Sequence, residues 1–485
     1  MRMRPQLSFA GLSVLVMLVT KTLIHRQSAH QFLPRRVLRS LALLCVPFGL
    51  AGLFLIHSIA QTQTTDAPMA QEGNKASPQE RLQQHYDAAR SYQQRGNQEH
   101  AADEYRAFLA GALFSVARFR ASTGDFVAAE NLFEEASHFS PDHADAQRSR
   151  LSPEEQRRAE PFLTRLKPAI GDSYNNLGVI VATRKEFTLA LDYFRKAAEW
   201  NPSLETLPRN WGMAAFYAAQ FDQAVGPLSR VLATHPDDLR ARAALGLSLF
   251  TLQNYPEALE TLRRIETDVD SDPGLQYAYA VSLVKTGDYS EGVRRLKILE
   301  QQNPNSADVH MLLGQTFADQ GEHSTALEEY RKALAFDPNR AQLHYLTGLA
   351  LIRQGTPAEA EQELRTALKL DPAAISSKYH LAYALIQLQR KDEARALMEE
   401  VIRADPNHAD AHYELGKLQL ERGEVKAAIS NLETGTKLNP DGDHIHYQLA
   451  MAYQRESRAA DAQREIKIYQ ELKNRHRRRN VSESR

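Results

Sequence analysis

At 485 residues, with 43% apolar and 25% charged side chains, the chain is too long for one ordinary compact domain and too apolar to be disordered. Its 59 Lys/Arg and 60 Asp/Glu nearly cancel, but residues 1–60 hold seven bases and no acid, residues 473–485 hold six and one, and the body between holds 46 and 59. That acidic body argues against nucleic-acid binding, which depends on cations that displace phosphate counterions, and the single cysteine, Cys45, leaves no intrachain disulfide or Cys-based metal site.

The chain begins with two apolar stretches. Leu7–Thr20, closed by Lys21, is 14 residues long, short of the roughly 20 that a helix needs to cross a bilayer. The second follows Arg35, Arg36 and Arg39, runs Leu41–Ile56 and ends in Ser58-Ile59-Ala60. A cationic start, an apolar centre and small residues at the end predict a secretory signal cleaved before Gln61; left uncleaved, residues 1–60 form a membrane anchor. The expected location is extracytoplasmic or periplasmic, with membrane contact through this segment. Residues 61–81, polar and rich in Gln, Thr, Ala and Pro, predict a flexible linker.

Beyond the linker the chain repeats. Pro202, Pro236, Pro304, Pro338, Pro372, Pro406 and Pro440 stand 34 residues apart, or twice 34. With each proline at position 32, units start at 171, 205, 239, 273, 307, 341, 375, 409 and 443. Position 8 is always Gly or Ala, as in Gly178, Gly314 and Ala382, and so is position 20, as in Ala190, Gly292 and Ala326. Position 24 is large and apolar, as in Phe194, Leu262 and Tyr330, and Gly287, Gly321, Gly355 and Gly423 fall at position 15. These features predict two amphipathic helices per unit, pressed close where side chains are small, with the first ended by a left-handed residue and the second by proline. One such hairpin cannot bury its apolar faces alone, so neighbours must stack.

This set of positions resembles the tetratricopeptide repeat (TPR), closely over residues 171–472, nine contiguous units. The resemblance implies an all-α fold, an α-solenoid in which helix pairs wind as a right-handed superhelix. Two more units over 82–141 match less well: 82–109 by Ala89, Gly96, Ala101 and Tyr105, and 110–141 by Ala117, Gly124, Ala129, Phe133 and Pro141, giving about eleven repeats. Between 142 and 170 the frame is lost. Ser152-Pro153-Glu154-Glu155 predicts a capped helix start, and Pro161 and Pro168 are read as bounding a second short helix in a helical insertion. Asp270 replaces the expected proline, which predicts an altered junction there, and residues 473–485 read as a basic disordered tail.

No phosphate loop, nucleophile elbow or zinc spacing occurs. His310, His344, His412 and His446 share position 4, one repeat apart, and so do not converge on one another as metal ligands would; packing is the expected role. No catalytic residue, cofactor, metal or small-molecule ligand is expected.

The TPR resemblance implies that partners bind as peptides along the first helices, at positions 2, 5, 6, 9, 12 and 13. Across the units at 171, 205 and 239 these places offer Asn176 and Asn210 for a peptide backbone and Arg240 for an acid. Met213, Phe216, Tyr217, Leu247 and Phe250 offer apolar anchors, with burial of Phe216 and Phe250 in the solenoid as the competing expectation. Only Asn210 and Arg240 match the carboxylate clamp of chaperone-binding relatives, where Asn175, Val179 and Ala244 fill the other places. The expected function is a non-catalytic scaffold for protein or peptide partners, exported or membrane-tethered. The alternative is a cytoplasmic or inner-membrane-anchored adaptor; a TPR arm on an enzyme is disfavoured, because residues outside repeats are too few for a catalytic domain.

Overall fold

The computed structural model describes residues 77–140, 151–269 and 272–483. The signal or anchor segment, most of the linker and Asp270 lie outside the described residues. Among the described residues every regular element is helical. They form two compact units, one ending at Ser282 and one beginning at Leu283. Each is a stack of helix pairs, so the fold is an all-α solenoid.

The first unit contains α1 (Pro78–Gln94), α2 (Gln98–Ser122), α3 (Phe126–Phe139), α4 (Pro153–Thr183), α5 (Phe187–Trp200), α6 (Leu207–Tyr217), α7 (Phe221–Thr234), α8 (Leu239–Thr251), α9 (Tyr255–Arg263) and the short α10 (Glu266–Val269). Helix α11 (Pro273–Lys285) carries the boundary. The second unit continues with α12 (Tyr289–Gln302), α13 (Ala307–Asp319), α14 (His323–Phe336), α15 (Ala341–Gln354), α16 (Pro357–Leu370), α17 (Ile375–Gln387), α18 (Lys391–Ala404), α19 (Ala409–Glu421), α20 (Val425–Leu438), α21 (Asp443–Arg455) and α22 (Ala459–Glu483).

Positions 8 and 24 explain the packing within a repeat. A methyl group added to Gly178 would lie 2.5 Å from the Phe194 ring, one on Gly314 2.5 Å from Tyr330, and one on Gly416 2.7 Å from Leu432. The large residue of the second helix thus sits directly on the backbone of the first. At position 20, Ala190, Ala224, Ala326, Ala360 and Ala428 are fully buried. Position 15 is left-handed throughout: Gly321 has φ 79° and Gly423 79°, but Lys185, Ala219, Gln253, Gln389 and Ser457 adopt φ between 56° and 65° at the same place. A side chain is disfavoured in that region, so these five turns carry strain that glycine would not.

The position-4 histidines are latches. His344 Nδ1 lies 2.6 Å from Glu363 Oε2, while its Nε2 donates to the Pro338 carbonyl at 2.9 Å. His446 repeats this with Glu465 and Pro440, and His412 with Asn431 and Pro406. Each ring ties the two helices of its repeat to the proline that ends the preceding one.

Four boundaries differ from the sequence expectation. Helix α1 begins at Pro78 behind the cap Ser77, so the last four residues of the linker expected over 61–81 are helical. The units at 82–109 and 110–141 share α2, one continuous helix, because Leu109-Ala110-Gly111-Ala112 contains no residue that must stop a helix. The predicted break between Pro161 and Pro168 is absent, since both lie inside the 31-residue α4. The carbonyls that these prolines leave without an intrahelical partner belong to Arg157 and Thr164, both exposed residues outside the core. The cap at its start is as expected: Ser152 N–H donates to Glu155 Oε2 at 2.7 Å and Glu155 N–H to Ser152 Oγ at 3.3 Å. The expected disordered tail, residues 473–485, is helical as far as Glu483. Near 270 the second helix divides into α9 and α10, and Asp272 caps α11 by accepting from Gly274 and Leu275 N–H at 2.8 and 3.0 Å.

Candidate partner-binding face

The candidate face lies on the C-terminal half of α4 and on α6 and α8, the first helices of three consecutive repeats. The structure sorts the expected residues into three groups. Phe216, Leu247 and Phe250 are buried, at 1%, 2% and 6% exposure, rather than presented to a partner. Phe216 meets Phe221 edge-on at 5.9 Å, and Phe250 meets Tyr255 and Tyr277 edge-on at 6.0 and 6.4 Å. Position 12 here is part of the packing between helices.

Asn176 is spent inside the protein. Its Nδ2 donates to Tyr105 Oη at 3.0 Å and Asp172 Oδ2 at 3.2 Å, and its Oδ1 accepts from Gln93 at 3.4 Å. Tyr86 donates to the same Asp172 at 2.6 Å, and Tyr105 to Gln93 at 2.7 Å. Burial, with the Asp172 charge beside it, pushes the Tyr86 phenol well above its ordinary pKa. This network joins α1, α2 and α4. It was not visible in the sequence, because directly bonded members are up to 86 residues apart.

Asn210, Met213, Tyr217 and Arg240 remain half-buried. Asn210 donates to Asn175 Oδ1 at 3.0 Å, and its own carbonyl oxygen accepts from no described residue. Tyr217 stacks on Phe187 at 5.5 Å and 23°, a partner that sequence reasoning missed. Burial raises the Tyr217 pKa, and the nearby Arg240 cation works against that rise. Arg240 has no carboxylate partner among the described residues, whereas its neighbour Arg209 pairs with Asp238 at 2.8 Å. The face therefore combines an apolar side chain, an aromatic ring, an amide oxygen and an unpaired cation.

In the second unit the position-5 tyrosines serve the packing. Tyr379 lies 4.7 Å from His408, the cap of the next repeat's first helix, and Tyr413 lies 4.6 Å from His444 in the next repeat, ring to ring.

Models of the tetratricopeptide repeat match residues 171–204, 209–274, 314–355, 351–418 and 392–453. The chain is a tetratricopeptide-repeat protein. Repeats of this family are in general protein-interaction modules rather than catalysts, and the chain is a protein-interaction scaffold. Similar solved structures include MamA from Desulfovibrio magneticus RS-1, 22% identical over 35% of this chain and 95% of that one, with a TM-score of 0.33. PilF from Pseudomonas aeruginosa is 23% identical over 42% and 97%, with a TM-score of 0.37. YrrB, described as a TPR protein with an unusual peptide-binding site, is 18% identical over 39% and 98%, with a TM-score of 0.32. No curated protein matches the chain.

Proposed function

We propose that this TPR protein is an exported or membrane-tethered scaffold that binds an extended or helical peptide segment of a partner protein on the first-helix face of its first unit. The observation that carries this proposal is the partial exposure of Asn210, Met213 and Tyr217 on α6 and of Arg240 on α8, with the Arg240 cation near the Tyr217 phenol. These residues are half-exposed on consecutive repeats, and the Arg240 cation has no ion-pair partner among the described residues. A side chain of that kind is suited to an acidic residue on the peptide, with Met213 and Tyr217 as apolar contacts. Export rests on the Arg-rich start and apolar centre of residues 35–60. Among the described residues, no helix is long and apolar enough to cross a membrane.

A photo-crosslinking residue placed at Met213 tests the face in cells. Crosslinks from position 213, and none from the exposed Arg195 position on α5, are expected. Crosslinks from 195 alone would place the partner elsewhere. Fractionation with N-terminal sequencing tests the location: a mature chain beginning near Gln61, or a membrane-retained one, is expected, and a soluble cytoplasmic chain starting at Met1 would refute both.

A further inference from the structure

One of the histidine latches has an additional neighbour. His310 Nδ1 lies 2.7 Å from Glu329 Oε2, and its Nε2 donates to the Pro304 carbonyl at 3.2 Å, as in the other latches. Here, however, Glu300 Oε1 also lies 3.9 Å from Nδ1. The residues standing ten positions before His344, His412 and His446 are Leu334, Ile402 and Thr436, none of which supplies a carboxylate. The other latches are thus internal controls for what the second carboxylate adds.

We propose that Glu300, His310 and Glu329 form a binding site for a divalent transition-metal ion of the zinc type, fastening α12 to the helix pair α13 and α14. One donor atom from each residue falls within 4.8 Å of the other two. A tetrahedral zinc about 2.0–2.1 Å from each donor needs donors roughly 3.3 Å apart. The observed 2.7 and 3.9 Å separations bracket that distance, so small side-chain adjustments suffice. Because the Pro304 carbonyl can only accept, Nε2 carries hydrogen, and the ring is held with Nδ1 toward the carboxylates. A backbone carbonyl on the far nitrogen is the usual support for a metal-bound histidine. Phe336 stacks on the imidazole at 5.8 Å and 20° and further fixes its plane. One nitrogen and two carboxylate donors, with His310 and Glu329 both buried, suit zinc better than magnesium or calcium, which prefer all-oxygen shells.

The charged group now facing this cluster is Lys332, with Nζ 2.7 Å from Glu329 Oε1 and 3.9 Å from Glu300 Oε1. Its hydrogen bond to Glu329 holds the ammonium above its ordinary pKa. Lys332 is half-exposed on a flexible stem, so it can swing into solvent as a divalent ion enters. The entering ion also takes the place of the proton held between His310 and Glu329. Lys332 is therefore a competitor that tunes affinity, not a ligand.

Zinc chloride titrated into the full chain by calorimetry, with circular dichroism to verify folding, tests the site. One saturable site is expected in the parent. Glu300→Gln should weaken it by about tenfold or more, and His310→Gln should abolish it. Lys332→Gln should tighten it. Glu363→Gln, which disturbs the two-donor latch at His344, should leave it unchanged. Zinc should raise the Tm of the parent and not that of Glu300→Gln. Should His310→Gln fail to fold, Glu300→Gln and Lys332→Gln decide. The proposal is overturned if the parent takes up no zinc, if Glu300→Gln retains the parent's affinity, or if Glu363→Gln loses the same site.

Discussion

The residues up to Ser282 and those from Leu283 onward use one 34-residue frame but join successive repeats with different chemistry. In the first unit the joints around Asp172 and Glu135 are half-buried and centre on tyrosine hydroxyls and an amide. Tyr86, Tyr105, Asp172 and Asn176 share one network, and Tyr174 and Lys196 both donate to Glu135, at 2.6 and 3.1 Å. In the second unit they are largely ion pairs, with Arg390 and Lys391 exposed: Arg390 reaches Glu361 at 2.6 Å, Lys391 reaches Glu421 at 2.9 Å and the half-buried Arg395 reaches Glu424 at 2.7 Å. The glycine of one helix against the large residue of the next is common to both. Contacts inside a repeat therefore define the fold, while the chemistry between repeats is free to vary. Partly buried networks are screened by salt much less than exposed ion pairs are.

The largest way to break this comparison is in the common element. Phe216→Ala removes a fully buried ring from the first unit and should cost about 3–5 kcal/mol, read by chemical denaturation. A negligible change would mean that the ring faces a partner. Next come the joints. Asn176→Ala strips donors from Tyr105 and Asp172 and should cost about 1–3 kcal/mol, independent of salt. Arg390→Ala should cost less, and its effect should fade as salt is raised, because the guanidinium is exposed. Equal salt dependence in both would erase the distinction. The smallest effect concerns the turns. Ala219→Gly relieves a left-handed alanine and should stabilise by roughly 0.5–1 kcal/mol, while Gly321→Ala should destabilise by about 1–2 kcal/mol. Thermal or chemical melts of the pair, run side by side, check the sign.

What could be read from the sequence follows from the range of each interaction. A small residue at position 8 and a large one at position 24, 16 residues apart, recur in nine units, so Gly178 with Phe194 and Gly416 with Leu432 stand out together. Pro161 and Pro168 were misread as boundaries because a proline on the wet side of a helix costs little, and which side is wet depends on packing. The candidate face was only partly legible. Asn210, Met213, Tyr217 and Arg240 lie half-exposed on it, but the burial of Phe216, Leu247 and Phe250 depends on how closely neighbouring repeats stack, which no residue type encodes. Asn176 was engaged by residues up to 83 positions earlier, beyond any repeat arithmetic. The position-4 histidines were expected to pack, and they do so through partners 19 residues on.

The binding face is best tested at Arg240. Asn210 is a poorer choice, since its bond to the buried Asn175 means that its loss would disturb the interior. With a partner segment identified by crosslinking from position 213, its Kd is measured by fluorescence anisotropy against the parent and Arg240→Glu, each with its melting temperature. The expected result is affinity weakened by about tenfold or more with the melting temperature unchanged. An unchanged Kd in Arg240→Glu would contradict the assignment of this face.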